Sequence, residues 1–233
     1  MEGSFRRLLW FIWLKASPYI PFTTLSAVRH SLGKGAQSLL DVGCGEGKSI
    51  SALFDAIRGM YIIGVDAYLP YLKDCRYGRR IYQDLVLCNA STLPFKDNSF
   101  DIVLAIEVLE HLAKENGELM LLEMERIARK QVIITTPLGK ANQPLNLTYD
   151  PLQIHQHIWT PSELRGLGYQ VRGMGLRLVS GGGGGIYLHV PRGLQIITLF
   201  FEAPLWLLGG ILAIFTPRFA GKMICTKRFA GTT

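Results

Sequence analysis

The chain has 233 residues, 48% hydrophobic and only 18% charged. That is enough apolar material for one domain with a real core, and it excludes disordered and collagen-like classes. Lys and Arg number 25 against 18 Asp and Glu, a net +7, but the excess sits at the ends: five basic residues against Glu2 in 1–34, five against Glu202 in 187–233, and fifteen against sixteen acidic between them. Basic ends beside apolar tracts favour an anionic membrane surface, whereas a polynucleotide would demand a basic central domain.

At the start, Arg6 and Arg7 precede the apolar run Leu8 to Leu14, which imitates a signal peptide until Lys15, Pro18 and Pro21 end it. Residues 1–34 are expected to form an apolar, basic helical segment that lies in the headgroup layer or packs on the domain formed by 35–233. From Ser38 onward, short β-rich runs (Ser38 to Val42, Tyr61 to Val65, Leu85 to Leu87, Ile102 to Ile106, Val132 to Thr135) alternate with helical patterns such as Ile50, Leu53, Phe54 and Ile57. Continuous Val/Ile/Leu strands are buried on both faces, so the expected fold is a doubly wound, Rossmann-like α/β domain with a mostly parallel sheet.

Farther on, Thr160-Pro161-Ser162-Glu163 reads as a capping box opening a helix that stops at Gly166 or Gly168, with a strand from Tyr169 to Met174 after it. Residues 193–217 then form an apolar insertion whose only charge is Glu202, broken by Pro204 and Gly209-Gly210 and flanked by Arg192, Arg218 and Lys222. It is long enough to cross a bilayer, but Glu202 and Pro204 argue against a crossing. The expectation is an interfacial helical pair, with a lid or a homodimer contact as the alternative. Lys222 to Thr226 would be the last strand. Cys44, Cys75, Cys88 and Cys225 match no metal or disulfide spacing and read as free thiols.

Leu39 to Ser49 is strand, glycine-rich turn, helix. Glycines at 43, 45 and 47 let the backbone bend sharply and approach a ligand. Gly47-Lys48-Ser49 lacks the first glycine of a P-loop. Asp41 and Glu46 would repel a pyrophosphate and suit a cationic, amine-bearing ligand instead. Asp66 ends the second strand, placed to accept both ribose hydroxyls, and Asn89-Ala90 ends the third, placed for an adenine edge.

With those residues, Leu93 to Asp101 and Glu107-Val108-Leu109-Glu110-His111-Leu112 complete a motif set that resembles the class I S-adenosylmethionine-dependent methyltransferases, in particular the type 11 group of quinone and other small-molecule methyltransferases. The likeness runs from about Ser38 to Met174. It implies a seven-stranded sheet, S-adenosylmethionine as cofactor, Asp41, Gly43, Gly45 and Gly47 at its methionine end, Asp66 on the ribose, Asn89 and Ala90 on the adenine, and the backbone near Ala105 on the methionine amine. Asn89 departs from the aspartate usual there, and the apolar insertion is a second departure.

The chemistry implied is in-line displacement at the sulfonium methyl, in which the protein mainly aligns the nucleophile and no metal is demanded. His111, His155 and His157 are the candidates for a base or acceptor pocket. His155 and His157, at i and i+2 without a third partner in the sequence, do not read as metal ligands. The expected acceptor is small or lipid-like, reached by a cytoplasmic protein attached peripherally or monotopically to a membrane. Ala105 to Val108 stands where nucleic-acid amine methyltransferases carry Asn/Asp-Pro-Pro-aromatic, so a nucleic-acid acceptor is disfavoured. A cofactor-binding module without turnover is the reading from another class.

Overall fold

In the computed structural model, residues 12, 15–21, 23–75, 77–78, 80–139, 151–176, 211 and 220–229 are described. After helix α1 (Thr24–Ser31) come β1 (Ser38–Val42), α2 (Lys48–Ala52), α3 (Phe54–Ile57), β2 (Tyr61–Asp66), α4 (Leu69–Lys73), β3 (Asp84–Leu87), β4 (Phe100–Ile106), α5 (Lys114–Ile127), β5 (Ala128–Pro137), α6 (Pro161–Gly166), β6 (Gln170–Leu176) and β7 (Ala220–Arg228). They build one seven-stranded sheet in the order β3-β2-β1-β4-β5-β7-β6. The first five strands are parallel, and β7 runs antiparallel to both β5 and β6.

The sheet is buried on both faces because its strands alternate two apolar sets. Leu40, Val42, Val103, Val132 and Ile134 pack with Met120, Met124 and Ile127 of α5. Leu39, Ile62, Ile102, Leu104 and Ile133 pack with Val28, Ile50, Leu53 and Ile57 on the other side. From Lys15 onward the N-terminal segment lies against this second layer: the Lys15 ammonium donates to the Ser51 carbonyl at 2.7 Å, and the Tyr19 hydroxyl donates to Asp55. The apolar insertion 193–217 lies outside the described residues apart from Ile211. No helix among the described residues is long and apolar enough to cross a membrane.

Two elements differ from the sequence pattern for physical reasons. The run Ile50 to Ile57 is not one helix but two short ones meeting at Leu53 (ψ 1°), so Phe54 is 39% exposed beneath the Arg58 guanidinium while Ile50, Leu53 and Ile57 are buried. Strand β5 starts four residues before its apolar run because Arg129 and Lys130 reach across to Asp101, at 2.9 and 3.3 Å. Burial alone would raise the carboxyl of Asp101; the Gln37 N–H, Lys130 and Arg129 outweigh it and hold it below the ordinary carboxylate range. Arg126 likewise pins the loop before β4, pairing with Glu123 and Asp97 and donating to the carbonyls of Leu93 and Phe95.

The capping box forms as the sequence indicates: Thr160 Oγ1 accepts from the Glu163 N–H, and the Glu163 carboxylate accepts from the Thr160 N–H at 2.9 Å. It holds the loop that carries Trp159, whose indole N–H donates to the Leu109 carbonyl at 3.2 Å and whose ring lies on α5 at Gly117. A Cβ on Gly117 would sit 2.6 Å from Trp159 Cζ2. Alanine in a helix ordinarily gains about 1 kcal/mol over glycine, but overpacking a rigid buried ring costs about 1–3 kcal/mol. Gly117→Ala should therefore lower, not raise, the unfolding free energy in urea, by about 1 kcal/mol.

Asp41, 4% exposed at the end of β1, accepts from the Tyr82 hydroxyl at 2.6 Å. Burial lifts its carboxyl to about 7; the Tyr82 bond pulls down and the Asp66 charge adds to the rise. A carboxyl whose folded pKa exceeds its unfolded one keeps its proton better in the fold, so its contribution is greatest below about pH 4 and is lost as pH rises to about 7. Asp41→Asn, which keeps an acceptor for Tyr82, should remove this slope: in the ligand-free protein its stability relative to wild type should rise between about pH 4 and pH 7.5 by on the order of 2–4 kcal/mol. Parallel urea midpoints across that range would refute the buried charge.

Candidate active site

At the carboxyl ends of the parallel strands, where β1 stands between β2 and β4, a cavity of about 290 Å³ opens. In an open sheet this reversal of strand order is where ligands bind. The N–H groups of Gly43 and Cys44 both donate to the Val65 carbonyl, at 2.8 and 2.9 Å, which turns the chain sharply off β1. Gly43 has φ +70°, and a Cβ there would strike the Val108 side chain; Gly45 has φ +52°, and a Cβ there would meet no atom within 4 Å. The space beside Gly45 is the cavity itself, together with an adjoining hollow of about 210 Å³ that Glu46 also lines.

Asp66 ties this loop to the end of β2. One carboxylate oxygen accepts from the Gly45 N–H and the other from the Tyr68 N–H, both at 2.8 Å. A carboxylate can accept about four hydrogen bonds, more than these two donors. Asn89 and Ala90 also line the cavity. The Asn89 carbonyl, however, accepts from the Ser91 N–H and hydroxyl at 3.0 and 2.9 Å, so it is engaged in a local turn and the amide group is the donor left for a ligand.

Of the expected cofactor residues, Gly43, Gly45, Asp66, Asn89 and Ala90 line this cavity, whereas Asp41, Gly47 and Ala105 do not. Asp41 turns to Tyr82; Gly47 caps α2 in a left-handed conformation, against the backbone of Gly78; Ala105 is fully buried between Val42 and Ile134. Glu46 pairs with Lys48 at 3.1 Å, so it and Asp41 do not face one ligand together.

The other end of the cavity comes from the turn after β4. Glu107 has φ +56°, a left-handed conformation that is costly for a residue with a Cβ, and two partners hold its carboxylate: the Thr135 hydroxyl at 3.0 Å and the Lys222 ammonium at 2.7 Å. Lys222, read from the sequence as a basic flank of the insertion, is thus engaged in the domain. A 3-10 turn, Leu109–His111, follows, and residues 151–159 dock on it: the Gln156 and His157 N–H groups donate to the Glu110 carbonyl, and the Gln156 side chain donates to the His111 carbonyl at 2.7 Å. This brings the His155 ring edge-on to His111, centroids 4.9 Å apart. His111 lines the cavity; His157 instead meets Glu163 at 3.4 Å and stacks edge-on against Trp159.

Glu110 is 2% exposed and accepts from the Thr136 hydroxyl at 3.0 Å; burial, reinforced by the Glu107 charge, raises its carboxyl to about 8. Burial lowers the imidazole pKa of His111, helped by the neighbouring His155, and burial lowers that of His155 too. Burial thus favours the neutral form of each ring. Tyr71, Glu107, Asn116, Gln153 and Gln156 also line the cavity. Sequence reasoning did not select them, although Glu107 stands in the quoted motif at the end of β4. A larger hollow of about 410 Å³ between Tyr19, α1 and β6 carries no glycine turn and no carboxylate, which separates size from chemistry.

Residues 40–135 match the family model described as "Methyltransferase domain". Curated relatives include the tRNA (carboxymethyluridine(34)-5-O)-methyltransferase alkbh8 of Xenopus tropicalis, 32% identical over 48% of this chain and 17% of its own length. Another is the phthiotriol/phenolphthiotriol dimycocerosates methyltransferase of Mycobacterium tuberculosis, 35% identical over 31% of this chain and 27% of its own. The chain thus spans well under half the length of these relatives. In fold it is similar to a SAM-dependent methyltransferase from Thermotoga maritima (TM-score 0.55, 16% identity, 97% of this chain and 95% of that one) and to another from Archaeoglobus fulgidus (TM-score 0.52, 19% identity, 88% and 94%). Residues 40–135 thus match a methyltransferase domain, and the two solved structures share the fold around it.

Proposed function

We propose that the chain transfers the methyl group of S-adenosylmethionine to a hydroxyl of a small or lipid-like acceptor at a membrane surface. The observation that carries this reading is one cavity with two chemically distinct ends: Gly45 and Asp66 for the cofactor, and His111 for the acceptor. The acceptor oxygen forms a bond to the methyl carbon as the carbon–sulfur bond breaks, and that electron pair goes to sulfur. The sulfonium is already activated, so the rate depends on alignment and on losing the hydroxyl proton. The Glu110, His111 and His155 cluster is the group at that end able to promote that loss.

The lipid-like acceptor and the membrane rest on the apolar stretch 193–217 and its basic flanks Arg192 and Arg218, and on the phthiotriol named for the mycobacterial relative. The same stretch could pair two copies of the chain, an arrangement that gel filtration with and without detergent distinguishes.

The full chain, incubated with methyl-labelled S-adenosylmethionine and either a cell lipid extract or an aqueous small-molecule extract, should yield a product one CH₂ heavier from the lipid fraction. Product from the aqueous fraction alone would contradict the membrane reading, and cofactor binding without product in either would leave a binding module. In the same protein Asp66→Ala should weaken cofactor binding about 10- to 100-fold, the worth of hydrogen bonds to a charged acceptor. Unchanged affinity in a folded variant would remove Asp66 from the ribose.

A further inference from the structure

Glu110 and His111 sit on the turn after β4, and His155 on the loop docked against it by the Gln156 and His157 backbone bonds to Glu110. The carboxylate of Glu110 and one ring nitrogen each of His111 and His155 lie within 4.8 Å of one another. A metal with bonds of about 2.1 Å sets its ligands roughly 3 to 4 Å apart, so small side-chain rotations close the set. The buried Nδ1 of His111 has no hydrogen-bond partner, which is costly unless something else occupies its lone pair or proton. Thr136 already orients the Glu110 carboxylate, as a hydrogen bond behind a metal-binding carboxylate does. Glu107 is not part of the set: Lys222 and Thr135 hold it, so its charge is answered, and Glu110 becomes a charged ligand by giving up its proton as the cation binds.

We infer that Glu110, His111 and His155 form a binding site for one divalent transition-metal ion at the acceptor end of the cavity. Two imidazoles and one carboxylate suit zinc, cobalt, iron or manganese better than magnesium or calcium, which prefer all-oxygen shells. Of the three, His111 borders the cavity while Glu110 and His155 stand behind its wall, so an ion held by them lies next to the space where an acceptor hydroxyl enters, on the His111 side. A cation there would lower the pKa of a coordinated hydroxyl, whose proton leaves to solvent water at the cavity mouth; the alkoxide oxygen then bonds to the methyl carbon as the carbon–sulfur bond breaks. The ion's role in transfer rests on the proposed methyl-transfer reading; its binding does not. From sequence alone His155 and His157 lacked a third partner. The fold supplies two from another element and removes His157, which bonds Glu163 instead.

The test is a titration of cobalt(II) into the purified full chain, freed of metal by a chelator, followed by visible absorption. Expected are one equivalent of bound cobalt, ligand-field bands without the intense band of a thiolate ligand, and affinity reduced at least tenfold in His155→Ala and in His111→Gln but unchanged in His157→Ala. His155 lies on a partly exposed loop, so its variant should fold, which thermal melting checks. No saturable binding, a thiolate band from one of the four free cysteines, or unchanged affinity in His155→Ala would overturn the site. S-adenosylhomocysteine is titrated separately: if it binds the chelated protein while cobalt does not, the metal site falls and the transfer reading stands; if cobalt binds and S-adenosylhomocysteine does not, the reverse holds.

Discussion

The strand order places the site. Because β1 is flanked by β2 on one side and by β4 on the other, the chain segments leaving β1 and β4 diverge, and a crevice opens between them that no side chain of the sheet fills. The sequence must line that crevice with backbone at one end and polar side chains at the other. It does the first with Gly43 and Gly45 held by Val65 and Asp66, and the second with a turn that starts at the left-handed Glu107. The unfavourable conformation at Glu107 is maintained by a hydroxyl from β5 and an ammonium from β7, so the late, antiparallel strand of the sheet stabilises the geometry of the site.

The same coupling explains why the loop of residues 151–159 belongs to the site although it is far away in sequence. Its Trp159 is buried against α5, its capping box fixes the start of α6, and its backbone hydrogen bonds return to Glu110. Packing, not local propensity, therefore positions His155 next to His111. Loss of this docking would release the His111 end of the cavity while leaving the Gly43–Gly45 turn tied to the Val65 carbonyl and the Asp66 carboxylate.

The parallel strands were legible in the sequence because they are buried on both faces and read as uninterrupted apolar runs. The glycine turn was legible because glycines at 43, 45 and 47, set between a strand and a helix, free the backbone to approach a ligand closely. Strand ends were less legible: Arg129 and Lys130 look like loop residues until Asp101 is seen to answer them across the sheet. Side-chain direction was not legible at all. Asp41 stands one residue from the cavity-lining Val42, yet its carboxylate turns to Tyr82, 41 residues away in the chain, and Lys222 turns from a supposed membrane flank to Glu107 across 115 residues. Periodicity reports which face of an element is apolar. It carries no information about which distant polar group a buried charge will find.

The proposed place of the cofactor is the crevice between β1 and β4, in contact with the glycine turn and the ends of β2 and β3. Amide hydrogen exchange of the full chain, with and without saturating S-adenosylhomocysteine, measures this residue by residue. Exchange should slow at Gly45, at Ala67 after Asp66, and at Asn89 and Ala90, with β6 and α1 unaffected. Protection confined to the larger hollow beside α1, around Ala27, His30 and Gly173, or no protection at the glycine turn under saturating ligand, would contradict it.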